Sequence, residues 1–588
     1  MSSEAPVAQQ LRDAEGSSLT LVDRLLGQVR DRAAMPALYS RVGDRWVSIT
    51  WGQFGDGARR IASYLLTEKL QPGERAAIWS NNRAEWHTAD AAILMSRVVP
   101  VPLYQTLSAE QAQYVLNHSE SRVVFVENKQ LLDRVLQERD RLPGLARVVV
   151  FEGVENRSPD GFVVPWQHAL RIGEEALNAN ARELNQRAAS TATSDVVTLI
   201  YTSGTTGPPK AVMLTNDNIA AAGDGLVGIL DSGPDDRMLS YLPLAHIAER
   251  MVSEFHSYRD GNPTWFLDGL PNLGPRLRDV RPTQFFGVPR VWEKMALQIN
   301  KQVDRSSPAK RALARWAIGV GRRVSDAEER DGPGSSAPRR RHRLAERLVL
   351  RTLREAVGLD KAKILASGGA PIDPEVLRFF RSIGLEVCEI YGQSENTGIT
   401  SMNRPGRSRI GTVGEVFPGN DVRIAEDGEI LVRGGVVFPG YLKNDDATAE
   451  TVVDGWLQSG DVGEFDADGY LRITGRKKDL IITAGGKNIS PGNIELALSA
   501  NPLVGHAVAI GDRRPFMTAL LTLDEAAASE VAAQRGWPTG LDELAVHPGL
   551  RAELQTHVDV VNSRLSHVEQ VKRFEILAHD FTVDAELT

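Results

Sequence analysis

The stretch Tyr201–Thr215, YTSGTTGPPKAVMLT, constrains the fold of this 588-residue chain more than any other. Ahead of it Asp195–Ile200, DVVTLI, is apolar and β-branched, the pattern of a buried strand. Thr202, Ser203, Gly204, Thr205, Thr206 and Gly207 then put four hydroxyls and two glycines into six residues, and Lys210 follows. Glycines let backbone N–H groups turn toward an anion, hydroxyls donate further hydrogen bonds, and a lysine adds a compact positive charge. Ala211–Leu214 reads as a return strand, and Thr215 as the N-cap of a helix over Asn216–Leu230. The expectation is a hairpin whose tip cradles phosphate. It is not a Walker loop, because Ala211 stands where that loop needs Ser or Thr for magnesium.

A chain of this length exceeds one core, and a soft prior gives about four structural units. The net charge of −8 argues against a nucleic-acid binder. Cys388 is the only cysteine, so no intrachain disulfide forms, which suits a reducing compartment. No apolar run reaches the roughly 18 residues of a membrane span, and residues 1–16 lack the basic start and apolar middle of a signal peptide. The expectation is a cytoplasmic protein able to touch the inner membrane face.

Strand-like and helix-like pieces alternate from Trp46 onward. Arg75–Trp79, Val98–Leu103, Arg122–Val126 and Arg147–Phe151 read as strands, while Ala58–Leu70, Ala84–Met95 and Ala109–Asn117 read as helices. That rhythm predicts an α/β fold with a doubly wound, mostly parallel sheet. In Leu239–Arg250, LSYLPLAHIAER, His246 follows a Pro-bounded apolar run and is placed at a strand end facing a cleft. In Arg281–Lys294 the prolines fence a strand over Gln284–Val288, and Gly287 and Pro289 leave room for an apolar chain to pass. Residues 304–345 are a charged helical insertion with a loop at Asp331–Pro338. Its basic run Pro338–Arg343 could face solvent or an anionic lipid surface.

Further motifs suit a nucleotide. Lys363–Pro371, KILASGGAP, ends a strand in Gly368, Gly369 and Ala370, which permit close backbone approach to a flat ligand. Leu385–Ile390 runs into Tyr391, Gly392, Gln393, Ser394 and Glu395: an aromatic to stack on adenine, a glycine for clearance and a carboxylate to hold magnesium. Residues 411–475 carry hairpin turns at Asp427-Gly428 and Asp468-Gly469 and form a small β-subdomain. Within it Asp461, in WLQSGD, is the kind of residue that grips ribose hydroxyls. Beyond it, a mixed α+β unit shows strands at His506–Ile510 and Phe574–Leu577 and helices at Asp524–Gly536 and His547–Ser566.

Taken in this order, the motifs resemble the acyl-adenylate-forming superfamily over nearly the whole chain, and within it the bacterial long-chain fatty acid–CoA ligases. Ala211 and Ser459 are departures, standing where Gly and Thr are common. The resemblance implies a large N-terminal adenylation domain (1–475) and a smaller mobile C-terminal domain (476–588). It implies ATP and Mg²⁺ as cofactors, coenzyme A as co-substrate, and acyl-AMP as the intermediate. It places Thr205, Lys210, His246, Glu395 and Lys478 in catalysis, with His246 beside the substrate carboxylate, Thr205 and Glu395 at the metal, and Lys478 as the pivot between half-reactions. Arg476 then reaches the ribose and α-phosphate, and Gly486, Lys487 and Asn488 swing in to form part of a CoA tunnel. Relatives carry a catalytic lysine in a short last segment, whereas here the last lysine is Lys572. Either the sequence is truncated before that segment or the protein adenylates poorly, and the expectation for the 588 residues is slow adenylation with thioester formation spared. An acyl-AMP ligase serving a carrier protein, and a nonenzymatic adenylate- or lipid-binding relative, are the alternatives.

Overall fold

The computed structural model describes residues 19–202, 208–227, 229–331, 339–482 and 488–581. One sheet is wholly parallel, in the order Val99–Leu103, Arg75–Trp79, Ser121–Val126, Arg147–Val150, Val163–Pro165. Its strands are apolar runs rather than alternating ones because both faces are covered. The helix Ala84–Met95 is buried from Trp86 to its end, its one buried charge, Asp90, being met by Arg250.

The larger sheet has nine strands. Six parallel strands form its centre, in the order Val387–Tyr391, Ile364–Gly368, Gln284–Gly287, Met238–Ser240, Thr264–Phe266 and Pro36–Val42, with antiparallel strands at both edges. The strand over Gln284 stops one residue earlier than expected, and a helix starts at Pro289. The space over Gly287 is filled: a Cβ there would sit 2.8 Å from the indole nitrogen of buried Trp292, which donates to Gly287 O and Ala366 O. The room expected at Gly287 for an apolar chain is therefore taken by Trp292.

Between these layers Val196–Thr202 and Lys210–Thr215 form the anticipated antiparallel hairpin, extended by Gly440–Tyr441. Thr215 caps the next helix, its hydroxyl accepting from Asn218 N–H while the Asn218 side chain accepts in return. That helix ends at Leu226, short of 230. Glycines at 223 and 225 weaken its last turn, and Gly225 lies so close to Phe417 that a Cβ would come within 2.2 Å of the ring.

A fully buried charge cluster ties the His246 segment to this hairpin. Arg250 donates to Thr198 Oγ1 (3.0 Å) and Asp90 (2.7 Å) and pairs with Glu254 (3.2 Å). Burial and the Asp90 charge push the Glu254 carboxyl well above its ordinary range. Asp90 and Glu254 flank the Arg250 guanidinium, and a buried guanidinium needs such pairing.

The small antiparallel sheet comprises Asn420–Ile424, Glu429–Gly434, Trp456–Phe465, Val452–Val453 and Leu471–Arg476. The charged insertion is helical over Pro308–Asp331 and Arg339–Ala345, and its Ala314, Ala317, Val320 and Ala345 pack into the core around Trp292. Residues 481–578 supply a separate apolar core around Val504–Ile510, Met517–Leu523 and Val571–Leu577. The central strand of that sheet, Met517–Leu523, was not anticipated from the sequence.

Candidate active site

A cavity of about 1570 Å³ opens where the hairpin, the C-terminal ends of the central parallel strands and the small antiparallel sheet converge. Ligand crevices in open α/β sheets lie at just such strand ends. Thr202 and Lys210 face each other across the ladder and both line the cavity, so the lysine sits at the base of the hairpin tip. Ser203, Gly204, Thr205, Thr206 and Gly207 lie outside the described residues, as do Gly486 and Lys487. Of Asn488 only the backbone is described, in a two-residue strand with Ile489. The loop at 332–338 and the C-terminal residues 582–588 are outside as well.

Glu395 follows the Val387–Tyr391 strand in a single 3-10 turn, Ser394–Asn396, and lines the cavity together with Gly392, Gln393 and Ser394. Its Oε1 accepts from the Tyr441 hydroxyl at 2.7 Å. The Lys210 ammonium stands 4.9 Å from the centre of the same Tyr441 ring. Gly392 has no room for a side chain: a Cβ would lie 2.2 Å from the Gly398 carbonyl carbon. Gly368 and Gly369 line the cavity, the latter at φ +83°, where a side chain is strained; Ala370 does not line it.

His246 is the N-cap of the short helix Ile247–Glu249, six residues beyond the Met238–Ser240 strand rather than at its end. It faces the cavity, and its Nδ1 accepts from Ala248 N–H at 3.1 Å. Partial desolvation lowers its pKa, and because Nδ1 accepts, the ring proton sits on Nε2. Behind it, Asn82 accepts from Leu244 N–H and donates to Leu242 O and Ser240 Oγ, and Ser240 donates to buried Glu249 at 2.6 Å. Burial raises the Glu249 pKa to about 7.

Asp461 and Arg476 are cross-strand partners in the small sheet, and Arg476 Nε donates to Asp461 Oδ1 at 3.0 Å. The other oxygen of Asp461 accepts from Tyr391 at 2.7 Å. Tyr391 is buried and does not line the cavity; its hydroxyl orients Asp461. Arg476 is 62% exposed and lines the cavity, so it can leave Asp461 for an anionic ligand. Lys477 is held by Asp427 (2.6 Å) and Glu429 (2.8 Å), which raises its pKa. Lys478 and Asp479 follow in a turn on the cavity rim.

Tyr441 was missed in the sequence. It sits in FPGYLK, without a glycine-rich or charged signature, and only the sheet pairing brings it under Lys210. Among the described residues no cluster of three or more His, Cys, Asp or Glu side chains could hold a metal ion. A single carboxylate, Glu395, on the wall of a cavity that Lys210 also lines suits Mg²⁺, which binds through one or two carboxylates plus substrate phosphates.

Residues 26–442 match the family model of AMP-binding enzymes, and residues 478–582 match that of the AMP-binding enzyme C-terminal domain. The long-chain-fatty-acid–CoA ligase FadD15 of Mycobacterium bovis is 39% identical over 562 residues, covering 94% of this chain and 90% of that protein. The long-chain-fatty-acid–CoA ligase ACSBG2 of Xenopus laevis is 34% identical over 622 residues, covering 99% and 82%. In fold, the chain is similar to the anthranilate CoA ligase AuaEII in complex with anthranoyl-AMP. That match has a TM-score of 0.71 at 19% identity, with 95% and 94% of the two chains covered. It is also similar to the A domain of a carboxylic acid reductase from Segniliparus rugosus, with a TM-score of 0.72 at 19% identity and coverage of 99% and 92%.

Proposed function

The chain belongs to the family of AMP-binding enzymes, and from that membership we propose that it is an AMP-forming long-chain fatty acid–CoA ligase. Fatty acid, ATP and CoA are converted to acyl-CoA, AMP and pyrophosphate through acyl-AMP. The observation that carries this reading is the single cavity lined by Lys210, His246, Glu395 and Arg476, in a chain similar along 94% of its length to a long-chain ligase.

In the first half-reaction the fatty carboxylate attacks the α-phosphate of ATP, and pyrophosphate leaves. Two anions repel, so the protein's work is positioning and charge neutralisation. Lys210 and the hairpin tip address the phosphates. Glu395, with Thr205, would hold Mg²⁺, which neutralises phosphate charge when bound. Neutral His246 presents Nε2–H to the carboxylate and fixes its direction of attack. Arg476 exchanges Asp461 for the α-phosphate, and the freed carboxylate oxygen accepts from a ribose hydroxyl. Gly369, where a Cβ would meet nothing within 4 Å, leaves the floor open for the flat base.

In the second half-reaction the CoA thiol attacks the mixed anhydride. We place the domain boundary at 475/476 and the pivot at Lys478, since one residue can absorb a large dihedral change. The helix Glu525–Arg535 and its cap are joined to the helix Pro289–Asp304 by Arg290–Asp524 (3.2 Å), Lys301–Glu530 (2.7 Å) and Arg305–Glu530 (3.3 Å). These pairs are partly exposed and individually weak, so rotation breaks them at little cost.

We also assign a cytoplasmic protein with peripheral contact to the inner membrane face. Support comes from the insertion, where Arg340, Arg341, Arg343 and Arg347 are exposed beside Leu344 and Leu348, each 50% exposed. No helix among the described residues is long and apolar enough to cross a membrane.

The test is pyrophosphate release across a series of fatty acids, with and without CoA. Release with long-chain acids, and acyl-CoA when free CoA is added, are the expected results. Acyl-AMP that never reacts with free CoA would indicate a carrier-protein ligase, and ATP binding without pyrophosphate release a nonenzymatic relative.

A further inference from the structure

We infer that Tyr441 is a positioning residue that holds Glu395 and Lys210 apart, so that the carboxylate stays available to a divalent cation and the ammonium to nucleotide phosphate. This rests on the ligase reading above and deepens it. Lys210 and Glu395 line the same cavity, where opposite charges attract more strongly than in open water. A direct pair would cancel both charges at the place where each is needed. Among the described residues neither Lys210 nor Glu395 forms an ion pair; both instead meet Tyr441. The hydroxyl donates to Glu395 Oε1 at 2.7 Å, and the ring face lies 4.9 Å from the Lys210 ammonium. A phenol can do both, because its edge is a donor and its face attracts cations.

The ring is fixed from its backbone. Tyr441 pairs antiparallel with Val212, two residues from Lys210, and Leu442 N–H donates to Ala211 O at 2.9 Å. Tyr441 N–H donates to Thr448 Oγ1 at 2.9 Å, and the Thr448 hydroxyl donates to Asn444 O at 2.8 Å. Phe438 closes the side with its ring 4.8 Å away at 72°. The side chain is 5% exposed, and burial with the adjacent Glu395 charge raises its pKa, so the phenol remains a donor at any working pH.

The experiment is Mn²⁺ binding in the presence of α,β-methylene-ATP, followed by electron paramagnetic resonance, on wild type, Tyr441→Phe, Glu395→Gln and the double variant. A hydrogen bond to a charged group sets the scale. Tyr441→Phe is expected to raise the Mn²⁺ half-saturation by about 5–10-fold, with under about twofold further change in the Glu395→Gln background, where the carboxylate is already gone. Tyr441→Leu, which also removes the ring face, is expected to weaken metal-free binding of the analogue, whereas Tyr441→Phe leaves it unchanged. Thr448→Val loosens the clamp on Tyr441 from outside the cavity and carries the same titration should Tyr441→Phe fail to fold. An unchanged half-saturation in the folded variants, or an equal loss with and without the Glu395 carboxylate, overturns the inference. The readout needs no turnover. A wild type that binds Mn²⁺ and the analogue but forms no acyl-CoA would therefore sink the ligase reading and leave this one standing.

Discussion

Replacing Glu249 by Gln should change how stability depends on pH. The carboxyl lies three residues after His246, 3% exposed, with Ser240 donating to it and the Tyr241 phenol as a titratable neighbour; no cation pairs with it among the described residues. Burial outweighs the Ser240 hydrogen bond and pushes its pKa from 4.5 up to about 7. The sign follows from proton counting. Between these values the folded chain keeps a proton that the unfolded chain has released, so stability falls as pH rises from about 4.5 to about 7, then levels off. At 1.36 kcal/mol per pH unit the loss is about 3 kcal/mol, an upper bound. Gln carries no titrating proton and removes this slope whatever its own packing cost. With an unfolding entropy near 2.1 cal/mol/K per residue and an N-terminal folding unit of roughly 450 residues, the effect is about 3–4 °C. Scanning calorimetry of both proteins at pH 5 and pH 8 measures it. Because pH 5 already lies inside the window, the midpoint of Glu249→Gln should gain about 2–3 °C on wild type between the two pH values. Parallel pH dependences would refute the reasoning, because they would mean that Glu249 ionises in the fold as freely as in the unfolded chain.

Glu395→Gln should slow pyrophosphate release by an order of magnitude or more, since one charge opposite the phosphates is lost; wild-type release would end its assignment to the metal. Lys478→Pro should lock φ at the pivot, leaving acyl-AMP formation but blocking acyl-CoA formation in single turnover; equal loss of both steps would point to unfolding instead. Glu530→Lys replaces two attractive contacts, to Lys301 and Arg305, by repulsion. It should shift the partition between the half-reactions by about 2–5-fold, an effect that shrinks in high salt, and a salt-independent partition equal to wild type would show that this helix contact does not set the domain balance.

Much of the fold was legible because its signals are local. Buried parallel strands such as Arg75–Trp79 are apolar after their first residue, and a threonine three residues before an asparagine announces the cap at Thr215. The glycines and hydroxyls after Tyr201 carry their chemistry in their composition, as do the acids Glu395 and Asp461. Where the sequence misled, a long-range contact overrode a local pattern. Gly287 suggested space, but Trp292 fills it; the capped helix ends at Leu226 where Gly225 meets Phe417. His246 was expected at a strand end because nothing local shows that a short helix starts on it.

The sequence by itself determined the α/β class, the hairpin of Val196–Thr202 and Lys210–Thr215, and the kinds of side chain available to a cleft, since hydrophobic period and turn residues act over a few positions. Tertiary structure alone decided which of those side chains meet. Tyr391 aims at Asp461 rather than into the cavity, Arg476 is held by the same carboxylate, and Tyr441, 46 residues from Glu395 and more than 200 from Lys210 in the chain, meets both. Pairings of that span are set by sheet register and core packing, which no short window of sequence encodes.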